Sequence, residues 1–538
     1  MLFRLGVDVG GTNTDAVVLD EHDNLYAAVK TTTTEDVETG VYAAIDAALK
    51  MAGVDAQDVV AVMLGTTQCT NALVERRGLA RVAVLRIGYP AGQCVEPFYA
   101  WPDDLKDVVA HSWHLVPGGF ELDGSLIRDD LDEARLREIA LRLRRERVEA
   151  AVVSCVFSPV QPRHELRARD ILRDVLGPEF PVTLSAEVGS LGLLERENSA
   201  ILNAALNRVA GIATRGLERA LAARGIRARV FFTQNDGTLM SLERAREYPV
   251  LTISSGATNS MRGAYYLTHL EHCVVIDVGG TSTDVGILAG GFPTLSSRPA
   301  DIGGVRTNFR MPDIVSCALG GGSVVREVNG EVTVGPESLG SELTRGALAW
   351  GGDTLTATDV VLALGRAEVE DAQASRARVD DLPRDLCQRA ERVIVGRIEE
   401  ALDRVKPNSQ PLPAVLVGGG SILLPPRLRG ISRVIRPLNH KYANAIGAAM
   451  GEIGGEVDRV WSLDQVSEEE AVRQAREMAL RQAVREGADP GRVRVLNVEA
   501  VPVSYLPGKA LRVRARAAGP LRFGGPAAHY PREEVSRL

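Results

Sequence analysis

At 538 residues the chain is long enough for several domains, and its 45% hydrophobic and 25% charged residues are those of an ordinary globular protein. Sixty-two Lys and Arg against 70 Asp and Glu leave a net charge of −8, and aromatics make up only 4%, which argues against a non-specific nucleic-acid binder and base-stacking surfaces. The N-terminus opens on a short buried-strand pattern, no apolar run approaches membrane length, and the six cysteines form no CxxC pair, so a reduced cytoplasmic protein is expected.

The first element is a strand ending in Val7-Asp8-Val9-Gly10-Gly11-Thr12-Asn13-Thr14-Asp15 and returning through Ala16-Val17-Val18-Leu19. Glycines in such a turn let backbone approach a phosphate, and the N–H groups and Thr hydroxyls supply donors. An Asp at the strand end can hold a hard cation through water, as Mg²⁺ prefers. A strand to Lys30 follows, and Glu35-Asp36 opens a helical pattern through Leu49. Val59 to Leu64 is a strand ending in Gly65-Thr66-Thr67, before a segment containing Asn71. Hydroxyls and N–H groups at a strand C-terminus suit a ligand, although a Thr-capped helix explains the spacing equally well.

Val82 to Ile87 and Ala150 to Phe157 read as core strands, Asp132 to Arg147 and Arg163 to Leu176 as helices, and 193–222 as one or two long helices. His111 and His114 have HxxH spacing, as do His269 and His272, but neither pair has helical context or a third ligand, so packed or surface histidine is the default. A strand to Thr233 ends in Gln234-Asn235-Asp236-Gly237, and Ser254 to Ser260 forms a small-residue loop opening a helix.

The N-terminal pattern then returns as Ile276-Asp277-Val278-Gly279-Gly280-Thr281-Ser282-Thr283-Asp284. Two copies of DVGGTxTD point to two related domains facing one nucleotide. Beyond it lie Asp313, the loop Gly320-Gly321-Gly322, and a long helix over 382–405. The strand Ala414 to Val417 runs into Gly418-Gly419-Gly420, bare backbone suited to a flat base and ribose. The helix from Ala443 is so small-residued that another helix, or a hinge, must pack closely on it. From Glu456 the character changes: a capped, charged helix to Arg485 precedes strands 493–498 and 511–517, the second alternating Arg512, Arg514 and Arg516 as if half-exposed.

Paired DxGGTxTD hairpins, a strand running into three glycines and a small-residue helix resemble the superfamily of actin, heat-shock chaperone ATPases and sugar kinases. Within it, Gly65-Thr66-Thr67 with Asn71, Asn235-Asp236-Gly237, Gly320-Gly321-Gly322-Ser323 and Val334-Gly335-Pro336-Glu337-Ser338 resemble the hydantoinase/oxoprolinase A family over residues 5–450. The resemblance implies an α/β fold of two RNase H-like domains, with an insertion in the N-terminal half and a small C-terminal α+β appendage. The expected boundaries are 1–185, 186–455 and 456–538. It further implies ATP- and Mg²⁺-dependent opening of a cyclic amide (hydantoin, 5-oxoproline or lactam), with a separately encoded second subunit and homo- or hetero-oligomers. Asp8 and Asp277 would hold Mg²⁺ and, with Asp15 and Asp284, form the catalytic set. Gly10, Gly11, Thr12, Asn13, Gly279, Gly280, Thr281 and Ser282 would cradle phosphates, and Gly418, Gly419 and Gly420 the adenosine. Thr66, Thr67, Asn71, Asn235 and Asp313 would face the substrate. The sequence departs from the family at Val315, where a His is usual, and over 342–351. Both departures lie on the substrate side, leaving a small-molecule kinase or an ATP-driven factor acting on another protein as alternatives.

Overall fold

The computed structural model describes residues 1–10, 13–32, 37–296, 298–369, 371, 373–504 and 509–523. The expected helix start at Glu35-Asp36, the hairpin-tip residues Gly11 and Thr12, and the last fifteen residues lie outside them.

In chain order the strands that build the two main sheets are β1 (Phe3–Val9), β2 (Asn13–Asp20), β3 (Leu25–Thr32), β4 (Val59–Thr66), β5 (Arg229–Thr233) and β6 (Leu239–Ser241). Helix α1 (Ser255–Thr268) leads to β7 (Cys273–Val278), β8 (Thr283–Ala289) and β9 (Leu412–Val417). Helix α2 (Ala443–Ala449) leads to β10 (Ile453–Ser462), β11 (Arg494–Val503) and β12 (Ala510–Gly519). The first sheet runs β11-β12-β10-β6-β5-β4-β1-β2-β3. In the second, β8 and β7 are followed by β9 and Ile431–Ile435, with Phe292–Pro293 on the far side of β8.

The two sheets repeat one design. Each begins with an antiparallel hairpin (β1–β2, β7–β8) whose first strand then gains a parallel neighbour (β4, β9). The hairpins share their register: Asp8 stands opposite Asp15, and Asp277 opposite Asp284. The central strands are apolar on both faces because helices cover them; all seven residues of β1 are buried. Between β4 and β5 sits the expected insertion, a wholly parallel sheet ordered Ala110–Pro117, Val82–Tyr89, Ala150–Cys155, Val182–Leu184. A single helix, Leu193–Ala223, carries the chain back to β5.

Helices α1 and α2 lie between the sheets. Helix α1 packs on β7, β8 and β9, α2 packs on β1, β2 and β4, and the two helices pack on each other. Their approach depends on glycine. A Cβ on Gly263 would fall 1.9 Å from the Ala443 carbonyl oxygen, and one on Gly447 1.9 Å from that of Asn259. The close partner expected for the small-residue helix is therefore α1.

The C-terminal α+β segment does not stand apart: β10, β11 and β12 extend the first sheet, and the helix Glu468–Glu486 covers β10 and β12. This corrects the half-exposed reading of β12. The strand is flanked by β10 and β11, and its arginines meet carboxylates: Arg512 with Asp458, Arg514 with Glu456, and Arg516 with Asp236 at 2.6 Å. Alternation marked two faces correctly, but the polar face is covered by ion pairs rather than water. Removing one member of a buried pair strands the other charge, so Arg516→Ala is expected to cost about 3 kcal/mol. Urea unfolding checks this; an unchanged midpoint at unchanged slope would show that the pair contributes nothing. Among the described residues, no helix is long and apolar enough to cross a membrane.

Candidate functional site

Asp8 and Asp277 end equivalent strands of the two sheets, and both point at the helix pair. Asn259 Nδ2 of α1 donates to Asp8 Oδ1 at 3.1 Å, and Asn444 Nδ2 of α2 donates to Asp8 Oδ2 at 3.3 Å. The Ser260 hydroxyl, next along α1, lies within hydrogen-bond reach of both Asp277 Oδ2 and Asn444 Oδ1, and with one proton it donates to one at a time. Gly65, opposite Asp8 on β4, makes room for this. A Cβ there would lie 2.1 Å from Asn259 Nδ2 and 2.3 Å from Asp8 Oδ1.

Burial dominates the electrostatics. It pushes the Asp8 carboxyl up to about 6, against the Asn259 hydrogen bond, and Asp277 up to about 7, against Ser260 and with help from the nearby Asp284 and Asp8 charges. Asp15 and Asp284 are also raised by burial; Lys30 opposes the shift in the first, Ser316 in the second. Lys30 Nζ lies 2.6 Å from Asp15 Oδ1 and lowers the carboxyls of Asp8 and Asp277 as well.

The hairpin tips close alike, Gly10 N–H donating to Asn13 O at 3.0 Å and Gly279 N–H to Ser282 O at 2.9 Å. Thr281 and Ser282 are exposed. The Gly320-Gly321-Gly322 loop backs the second tip: Gly321 N–H donates to Gly279 O at 3.0 Å and Gly322 N–H to Gly280 O at 2.7 Å. Of the three glycines after β9, Gly418 and Gly420 press on the second hairpin. Their Cβ atoms would meet Asp277 Oδ1 at 2.3 Å and Gly279 O at 2.5 Å. Gly419 alone faces open space, so bare backbone for a flat ligand is narrower than the glycine run suggests.

The expected substrate-side residues divide. Thr66 and Thr67 join the first hairpin to α1, the Thr66 carbonyl accepting from Ser255 Oγ at 3.1 Å and Thr67 Oγ1 donating to Val9 O at 3.3 Å. Asn235 is buried with Nδ2 3.4 Å from Met311 Sδ, two residues before the exposed Asp313. Asn71 is exposed on the helix Gln68–Glu75. Val315 pairs with Val285 in the second sheet and packs on its core, an apolar role. His111 and His114 lie on a strand, and no group of three His, Cys, Asp or Glu residues that could hold a metal occurs among the described residues.

Lys30, Asn259, Ser260 and Asn444 escaped the sequence reading. Lys30 had a local signal, since it stands opposite Asp15 across β2 and β3. The others reach the aspartates only through tertiary packing, and nothing local marks them.

Two sheets of one repeated design, joined through a single helix pair, define an α/β protein with Asp8 and Asp277 at equivalent positions. Residues 4–176 match the hydantoinase/oxoprolinase N-terminal region and residues 196–454 match hydantoinase/oxoprolinase, so the two matches span most of the chain. The chain belongs to the hydantoinase/oxoprolinase family.

Among its relatives, caprolactamase subunit alpha of Pseudomonas jessenii is 27% identical over 68% of this chain and 54% of the relative. Acetophenone carboxylase gamma subunit of Aromatoleum aromaticum is 26% identical over 67% and 53%. 5-Oxoprolinase PfmaA of Pestalotiopsis fici is 29% identical over 62% and 28%. The chain thus spans about half the length, or less, of these curated relatives. In structure it is similar to the ATP-dependent caprolactamase of Pseudomonas jessenii (TM-score 0.74, 20% identity, 96% of this chain and 88% of that one). It is also similar to nucleotide-free acetone carboxylase (TM-score 0.63, 19% identity, the same coverage).

Proposed function

We propose that the chain binds ATP and Mg²⁺ between its two hairpins and uses phosphoryl transfer to open a small cyclic amide of the hydantoin, 5-oxoproline or lactam type. The observation that carries this reading is the convergence of Asp8 and Asp277, from equivalent positions of two repeated sheets, on adjacent residues of one helix. Relatives named caprolactamase and 5-oxoprolinase support the substrate class.

The residues fit the ion. Asp8 is buried and Asp277 half-buried, both carboxylates have neutral hydrogen-bond partners, and desolvation holds both carboxyls up. Two carboxylates without a third protein ligand suit Mg²⁺, which keeps water and phosphate oxygens in most of its sphere. An amide carbonyl is a poor electrophile, and ATP would supply the phosphoryl group that turns its oxygen into a leaving group. The chain's share is positioning and charge neutralisation. The backbone at Gly10, Asn13, Gly279, Gly280, Thr281 and Ser282 would hold phosphates, and Gly419 offers open backbone for the adenosine. Asp8 and Asp277, once ionised, would orient the attacking oxygen and accept its proton; Asp15 and Asp284, whose charges oppose that ionisation from the opposite strands, would add to the negative charge that draws a cation in. Thr66, Thr67, Asn235 and Asp313 would meet the amide, with Asn71 at the outer rim.

Relatives named as carboxylase subunits favour a second reading, in which the activated carbonyl is that of a ketone. Subunit names among the relatives also support a separately encoded partner. All six cysteines are free, in keeping with a reducing, cytoplasmic setting. The test is phosphate release by the purified chain, with and without a candidate second subunit, against hydantoins, lactams, 5-oxoproline, thio-analogues, and ketones with bicarbonate. Ring opening coupled to phosphate release supports the proposal. A stable phosphorylated product would replace it with a kinase, a carboxylated ketone with a carboxylase, and turnover stimulated only by another protein with a non-enzymatic ATPase.

A further inference from the structure

We propose that Asn259, Ser260 and Asn444 form a positioning cluster that fixes the two strand-end aspartates relative to each other, so that both lobes act on one bound nucleotide. The inference rests on the nucleotide site proposed above and concerns residues that reach the aspartates without belonging to either hairpin.

Consecutive residues of a helix project about 100° apart, so Asn259 and Ser260 can address different elements from one turn of α1. Asn259 turns to Asp8 in the first sheet and Ser260 to Asp277 in the second. Asn444, from α2, closes the chain of contacts by touching both Asp8 and Ser260. A chain of polar contacts Asp8–Asn444–Ser260–Asp277 therefore crosses between the sheets, with Ser260 giving its one proton to Asn444 or to Asp277 at a time. The helices that carry it have no slack, because Gly263 and Gly447 bring their backbones into contact. Asn259 and Ser260 are fully buried, and Asn259 Oδ1 has no hydrogen-bond partner among the described residues. Leaving a buried carbonyl unmatched costs free energy, and a small apolar residue would pack there without that cost. The amide is thus held for its donor to Asp8. Small size alone would account for tight helix packing; it does not account for three polar groups aimed at two carboxylates.

The test separates polarity from packing. Ser260→Cys keeps the side-chain shape at a slightly larger size and replaces the strong donor with a weak one, whereas Ser260→Ala removes the hydroxyl at nearly unchanged volume and Asn444→Ala removes the whole amide. If the cluster positions the aspartates, all three variants of the full chain lower kcat for ATP turnover by about tenfold or more while KM for ATP moves by less than about threefold. All three should also speed amide hydrogen exchange in 255–268 and 273–283. A Ser260→Cys variant with wild-type kcat and wild-type exchange would overturn the inference and leave the cluster a packing feature. Loss of kcat that only follows loss of folded protein, read by near-UV circular dichroism, would overturn it as well. Should the wild type turn over no ATP with any substrate, the nucleotide reading fails, and hydrogen exchange in the cysteine variant alone decides whether the cluster ties the lobes together.

Discussion

Asp277→Asn is expected to reduce ATP turnover by at least about a thousandfold and to make the nucleotide-free protein more stable above neutral pH. Loss of turnover follows because the amide can neither balance a divalent cation nor take a proton. Gain of stability follows from the sign of the shift. Burial raises the Asp277 carboxyl from 3.8 to about 7, so between those values the folded chain binds a proton that the unfolded chain has released. Its stabilising contribution is fully present below about 3.8 and is lost as pH rises through about 7. Asn carries no such dependence and still accepts from Ser260. At pH 8 the variant should exceed the wild type by on the order of 3 kcal/mol, with the margin vanishing towards pH 4. Urea midpoints across that range, without nucleotide or Mg²⁺, measure it. Equal pH slopes for wild type and variant would refute the buried-carboxylate account, and full ATP turnover in the variant would refute the site. Asp8→Asn should behave alike with a narrower window, because its carboxyl rises only to about 6.

Gly447→Ala should destabilise the protein, against the ordinary preference of helices. In an exposed helix this change gains about 1 kcal/mol through backbone entropy. Here the new Cβ would lie 1.9 Å from Asn259 O and 2.7 Å from Gly263 N, so α1 and α2 must move apart. Overpacking of this kind costs about 2–3 kcal/mol. The displacement also draws Asn444 from Asp8 and Asn259 from its place, so turnover should fall with stability. Thermal unfolding and ATP turnover read the two effects; a variant at least as stable as wild type would show that the helices are not in backbone contact. Gly263→Ala, whose Cβ meets Ala443 O at 1.9 Å, is the reciprocal check.

The readings that matched came from short-range pattern. The helix expected over 132–147 spans Glu133–Glu146, with Asp132 accepting from Arg135 N–H as its cap, and the capped helix expected to Arg485 spans Glu468–Glu486, with Ser467 accepting from Glu470 N–H. Such signals survive because capping and periodicity are settled within a few residues. The reading of β12 failed for the opposite reason. Arg512, Arg514 and Arg516 look like a solvent face until Asp458, Glu456 and Asp236 are brought beside them, and two of those carboxylates lie on β10 and one on a turn nearly three hundred residues upstream. The glycine run after β9 was visible, but only packing showed that Gly418 and Gly420 are spent on the second hairpin.

By itself the sequence determined the repeated hairpin, the aspartates before and after its turn, and a helix too small in side chains to stand alone. These are local matters: alternation sets which residues share a face, and glycine sets where backbone can turn or approach. Tertiary structure alone decided what surrounds Asp8 and Asp277. Asn259, Ser260 and Asn444 come from helices separated by most of the second lobe, and they meet the aspartates because Gly263 and Gly447 let those helices touch. No local pattern encodes that distance; the packing of the two sheets through one pair of helices does.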